Sequence, residues 1–89
     1  MTTQKKAIVL GATSGIGLEV VKQLSSRGWN VGVAGRRIER LKEIEDSIEG
    51  VTAFEQIDVT KDDASQKLLT LIEKMGGIDL YFHSSGIGF

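Results

Sequence analysis

Four short apolar runs alternate with three longer stretches in which apolar residues recur at helical spacing, and this alternation leaves few architectures open to the chain. Residues 6–10 (KAIVL) are apolar and partly β-branched, bounded by lysines and a glycine, and read as a buried strand. Ile16, Val20, Val21 and Leu24 then recur at helical spacing up to Gly28, a C-terminal stop. Residues 29–34 (WNVGVA) read as a second strand. Ile38, Leu41, Ile44 and Ile48 place one apolar stripe on a charged helix that Gly50 ends. Residues 51–59 alternate loosely as a third strand, and Thr60 with Asp63 resembles a capping box. The helix opened there, over 61–75, carries Ala64, Leu68, Leu71, Ile72 and Met75 on one face and stops at Gly76-Gly77. Residues 78–83 form a fourth strand. Strands this short and apolar do not stand exposed. Alternating with helices of this length, they favour right-handed parallel crossovers, with helices covering the sheet. The expected fold is α/β, a doubly wound parallel sheet built β-α-β-α-β-α-β.

Composition removes several function classes. A chain of 89 residues is one domain at most. Eleven basic residues against twelve acidic ones give a net charge of −1, with no excess to bind a polyanion, so nucleic acid is not an expected partner. The absence of cysteine excludes disulfides, thiolate metal sites and thiol nucleophiles together. The only histidine, His83, has no second metal ligand nearby in sequence, and no metal site is expected. The N-terminal MTTQKK lacks an apolar signal core, and no apolar run approaches membrane-spanning length. No membrane partner is expected, and the default location is cytoplasmic.

The junction of the first strand and first helix, VLGATSGIG, holds three glycines where a tight turn alone needs one. In an open parallel sheet the ligand sits beyond the carboxyl ends of the strands, and a helix start offers unpaired N–H groups and the positive end of its dipole. Gly11 lets the strand turn sharply, Gly15 removes the side chain that would hold phosphate oxygens away, and Gly17 lets helix and strand pack closely. Thr13 and Ser14 add hydroxyl donors at the same rim. The competing reading is a glycine-rich turn with no ligand. The spacing is neither G-x-G-x-x-G nor that of a P-loop.

The second strand ends Ala34-Gly35-Arg36-Arg37, about 20 residues beyond the glycines, where a nucleotide-binding fold meets the adenosine ribose. A carboxylate there bonds the 2′-hydroxyl. Two guanidinium groups instead suit a 2′-phosphate, through paired charge-assisted hydrogen bonds, and point to NADP(H) over NAD(H). The alternative makes Arg36 and Arg37 solvated helix-start residues paired with Glu39 or Glu43, although basic residues at a helix N-terminus oppose its dipole.

With these features in order, the sequence resembles the short-chain dehydrogenase/reductase family, over all 89 residues but only over the front, cofactor-binding part of the family's single domain. The family's turn, T-G-x-x-x-G-x-G, is matched by Gly11, Gly15 and Gly17, with Ile16 between the last two and Leu10 where threonine is usual. Asp58-Val59 in IDVT is similar to the pair that holds the adenine. His83-Ser84-Ser85-Gly86 stands where the family has N-N-A-G; only Gly86 matches, and ribose contacts carried over to His83 and Ser85 rest on backbone groups. The resemblance implies a Rossmann-like sheet in the order 3-2-1-4, with Leu10 and the altered segment as neighbours. It also implies an oxidoreductase moving hydride between a nicotinamide and a carbonyl or alcohol substrate. Residues 1–89 would be its NADP-binding part, truncated before the catalytic segment.

The family's chemistry uses a Tyr-x-x-x-Lys pair and a serine. Tyr81 is the only tyrosine, position 85 is serine rather than lysine, and an aromatic residue in the fourth strand reads as core. Ser84 and Ser85 have no base within reach in sequence, so no catalytic residue is assigned. A stand-alone nucleotide-binding or interaction module is the alternative. A nucleotide-sugar epimerase or methyltransferase relative is weaker, since methyltransferases usually want a carboxylate where Arg36 and Arg37 stand. Cut at this point, strand 78–83 is expected to present an apolar edge and to drive homo-oligomerisation, in the simplest case as a symmetric dimer.

Overall fold

A computed structural model describes residues 4–12 and 15–84. The chain runs β1 (Lys6–Leu10), α1 (Gly15–Ser26), β2 (Asn30–Gly35), α2 (Ile38–Ser47), β3 (Val51–Gln56), α3 (Ala64–Met75) and β4 (Leu80–His83). The four strands form one parallel sheet in the order β3-β2-β1-β4, the expected Rossmann-like arrangement. β1 pairs with β2 from Lys6↔Asn30 to Leu10↔Ala34 and with β4 from Ala7↔Leu80 to Leu10↔His83. β2 and β3 run to Gly35↔Gln56, with one irregularity between Val31 and Gly32.

Side-chain alternation along the central strands divides the core between two faces. Val9, Val31 and Val33 pack with Val21 of α1 and with Leu41 and Ile44 of α2. Ile8, Leu10 and Ala34 pack on the other side with Leu71 of α3, joined by Leu68, Ile72 and Met75. Leu41 and Leu71 are wholly buried. Each contributes roughly 2–3 kcal/mol of apolar burial. α3 ends as its sequence indicates, with Gly76 at φ 77° and its N–H donating to the carbonyls of Ile72 and Glu73.

Several boundaries differ from the sequence reading. Ile16 is not part of the inward stripe of α1: it is 70% exposed, and Gly17 and Val21 are the buried residues of that helix. α2 ends at Ser47, where Ile48 turns extended, rather than at Gly50, whose N–H donates to Ser25 Oγ at 3.1 Å. β3 stops at Gln56, short of residues 57–59. Asp63 occupies the N-cap of α3 without a side-chain cap, so Thr60 and Asp63 form no capping box; the Thr60 hydroxyl is bonded to Asp58 instead. β4 starts at Leu80, because Asp79 is used in aligning it. The Asp79 N–H donates to the Lys6 carbonyl at 2.7 Å, and its Oδ2 accepts from the Lys6 N–H at 2.9 Å. Tyr81 is 40% exposed and is not a core residue. Among the described residues β4 pairs with β1 alone, which leaves one flank of the strand without a neighbour.

Candidate functional site

Parallel strands place their carboxyl ends on one rim, and backbone hydrogen bonds knit that rim together here. The Gly11 and Ala12 N–H groups both donate to the Ala34 carbonyl, at 2.8 and 3.2 Å. The Ile57 N–H donates to the Gly35 carbonyl at 2.8 Å and the Ser84 N–H to the Leu10 carbonyl at 2.9 Å. Gly11, Arg36, Asp58 and His83 therefore stand side by side at the mouths of the four strands. Leu10 faces His83 in register, as the resemblance implied.

The three glycines of the first turn do different work. Gly11 has φ 85°, and a Cβ there would stand 2.5 Å from the Ser84 carbonyl oxygen, so both its conformation and the neighbouring strand require glycine. A Cβ on Gly17 would run into the Gly11 carbonyl and the Ala12 backbone; this glycine lets α1 lie close on the end of β1. Gly15 is the opposite case, since a Cβ there would meet nothing within 4 Å. Open space beside the first residue of α1, with no acidic residue in the first turn, leaves the positive end of the helix dipole uncompensated by its own side chains. Thr13, Ser14, Ser85 and Gly86 lie outside the described residues.

A cleft of about 540 Å³ opens on the other half of the rim, lined by Arg36, Gln56, Asp58, Lys61, Asp62, Asp63 and Lys67. Arg36 and Arg37 are exposed, and Arg37 is the N-cap of α2. Among the described residues neither forms an ion pair, so the pairing with Glu39 or Glu43 is not found. Gln56 Nε2 donates to the Arg36 carbonyl at 3.0 Å, tying the end of β3 to the turn that carries both arginines. Asp58 Oδ1 accepts two hydrogen bonds from Thr60, one from its N–H at 2.9 Å and one from its hydroxyl at 2.6 Å. These bonds hold the Asp58 carboxyl below the usual carboxylate range, with smaller contributions from the charges of Arg36 and Lys61. Asp63 and Lys67 lie 3.8 Å apart, one helical turn from each other. Two large apolar side chains, Ile16 and Val59, stand 70% and 55% exposed.

β4 contributes less. The Tyr81 and His83 rings lie 6.2 Å apart with a 50° tilt. Partial burial pushes the Tyr81 phenol above its ordinary range, the wrong direction for proton exchange at neutral pH. Among the described residues no group of three His, Asp or Glu side chains could hold a metal ion, and no helix is long and apolar enough to cross a membrane.

Gln56, Lys61, Asp62 and Lys67 line the cleft but were not singled out from the sequence, and Thr60, read there only as half of a capping box, instead braces Asp58. Asp58-Val59-Thr60 carried a usable signal, since an aspartate two residues before a threonine is the spacing of a side-chain-to-backbone turn. Gln56 reaches across twenty residues to Arg36 and leaves no local trace.

The family described as short chain dehydrogenase matches residues 5–89. An uncharacterized oxidoreductase of Listeria monocytogenes is 38% identical over 92 residues, covering 98% of this chain and 37% of its own length. Among solved structures, an alcohol dehydrogenase from the archaeon Thermococcus sibiricus complexed with 5-hydroxy-NADP superposes with a TM-score of 0.81 at 25% identity, over 89% of this chain and 36% of that one. The F189W actinorhodin polyketide ketoreductase with NADPH gives 0.77 at 31% identity, over 97% and 35%. The chain thus spans little more than a third of the length of the relatives it matches.

Proposed function

The chain belongs to the short-chain dehydrogenase family, and from that premise we propose that residues 1–89 form the NADP(H)-binding part of an oxidoreductase acting on a carbonyl or alcohol substrate. The observation that carries this reading is Arg36, in no ion pair among the described residues, on the wall of a cleft it shares with Asp58. The residues present fit the cofactor. Open space at Gly15 and the start of α1 suit a diphosphate, to which the hydroxyls of Thr13 and Ser14 would add donors. Arg36 and Arg37 supply guanidinium groups to a 2′-phosphate. Asp58 offers an acceptor to the adenine amine, and Val59 and Ile16 offer exposed apolar surface to the ring systems. By the family resemblance, His83, Ser85 and Gly86 would contribute ribose contacts through backbone groups.

When bound, the nicotinamide would supply hydride transfer, and the described residues would hold the adenosine and diphosphate end of the cofactor. We assign turnover to the remaining length that the relatives possess. Tyr81 has its phenol pushed up and a serine four residues on, so it does not stand in for the family's tyrosine–lysine pair. The 40% exposure of Leu80 and Tyr81 supports self-association of this chain through the flank of β4.

Calorimetric titration with NADP⁺ and NAD⁺ in parallel tests the cofactor reading. NADP⁺ is expected to bind about tenfold more tightly, as one charge-assisted phosphate contact allows, and Arg36→Ala is expected to abolish the difference. Equal affinities, unchanged by the substitution, would remove the 2′-phosphate site.

A further inference from the structure

Thr60 touches neither arginine nor the glycine turn, yet it decides how Asp58 meets a ligand. Its N–H and its hydroxyl converge on the same atom, Asp58 Oδ1, at 2.9 and 2.6 Å. The second oxygen, Oδ2, makes no hydrogen bond or ion pair within the described residues. The backbone ahead of Asp58 is anchored as well. Ile57 is buried, and its N–H is bonded to the Gly35 carbonyl at 2.8 Å. A threonine is stiff at χ1, so the pair of donors holds one carboxylate rotamer rather than following it. The result is a fixed carboxylate on the cleft wall, with one oxygen engaged from behind and the other available.

We propose that Thr60 is a positioning residue that turns Asp58 Oδ2 toward the exocyclic amine of adenine, and so sets a preference for adenine over other purines. The inference rests on the reading that the adenosine end of the cofactor occupies this cleft. An ionised carboxylate only accepts hydrogen bonds, so it selects a ligand edge that donates. Adenine presents an N–H there; hypoxanthine presents a carbonyl oxygen, which the carboxylate repels. The two Thr60 bonds also hold the Asp58 carboxyl below the usual carboxylate range, which favours the form that only accepts. Holding the rotamer in advance removes an ordering penalty that a free aspartate would meet on binding.

The test is titration of the 89-residue chain, followed by amide resonances, with NADP⁺ and with its deaminated analogue, nicotinamide hypoxanthine dinucleotide phosphate. The wild type is expected to prefer NADP⁺ by about tenfold, the range of a hydrogen bond to a charged group. Thr60→Val should reduce that ratio to less than about threefold, while Thr60→Ser, which keeps the hydroxyl, should restore it. A role confined to local folding would weaken both nucleotides equally and leave the ratio alone. A Thr60→Val chain with the full preference overturns the proposal. A wild type that distinguishes NADP⁺ from NAD⁺ but not adenine from hypoxanthine overturns it while leaving the cofactor reading standing; a wild type that binds neither nucleotide overturns both.

Discussion

At Asp58 a surface carboxylate is held by two donors from a residue two positions on, and its titration follows from that geometry. The folded-state value lies below the unfolded one, so the Thr60 bonds stabilise the fold above the unfolded value and are lost as pH falls through the folded value. The effect is confined to the acid side and leaves stability near neutrality flat. In a carbon-detected NMR titration the Asp58 carboxyl should reach its midpoint below the usual aspartate range, and Thr60→Val should move it upward. An unchanged midpoint in the variant would show that the bonds do not persist in solution. The glycines separate in the same way at this scale. Gly17→Ala forces a Cβ against the Gly11 carbonyl and should cost about 1–3 kcal/mol in urea unfolding. Gly15→Ala meets open space, so its stability should stay within about 0.5 kcal/mol of the parent while affinity for NADP⁺ falls. A stability loss at position 15 equal to that at 17 would mean that the turn packs more tightly than described.

Elements differ in how openly their sequences announce them. The face of α3 was legible from spacing, because Leu68, Leu71, Ile72 and Met75 fall on one side of any helix through them, and the structure buries Leu71 completely against Ile8 and Leu10. Leu71→Ala should therefore cost about 2–5 kcal/mol, read as a lowered urea midpoint with an unchanged slope. Two elements misled. Ile16 continues the helical period of α1 arithmetically, but it sits in the first turn and is 70% exposed, whereas Gly17 and Val21 are buried. Tyr81 was read as core because an aromatic residue in a strand usually is; on β4, paired with β1 alone among the described residues, it is 40% exposed. The candidate site was legible to the same uneven degree. Glycine placement and Arg36 follow from chain order in a β-α-β unit, which local pattern reveals. The bond from Gln56 to Arg36 spans twenty residues and leaves no local trace, whereas that from Thr60 to Asp58 had a local signal, the Asp-x-Thr spacing.

For the whole molecule, the sheet's strand order carries the consequences. Parallel strands with β1 and β2 at the centre gather every strand's carboxyl end on one rim and leave β4 as an outer strand with Leu80 and Tyr81 each 40% exposed. Sedimentation of the 89-residue chain should show mass rising with concentration, and a charged substitution such as Tyr81→Lys should suppress the rise. A strictly monomeric profile up to high concentration would contradict association through that flank. The central claim is that the ligand sits on the carboxyl rim and nowhere else. Mapping amide shifts during titration with NADP⁺ tests it most directly. The account predicts that the perturbed amides gather at Gly11, Gly15, Arg36 and Asp58, with Gly28, Gly50 and Gly77 at the opposite rim unmoved. Shifts concentrated at those three glycines, with residues 11–17 and Arg36 silent, would contradict it.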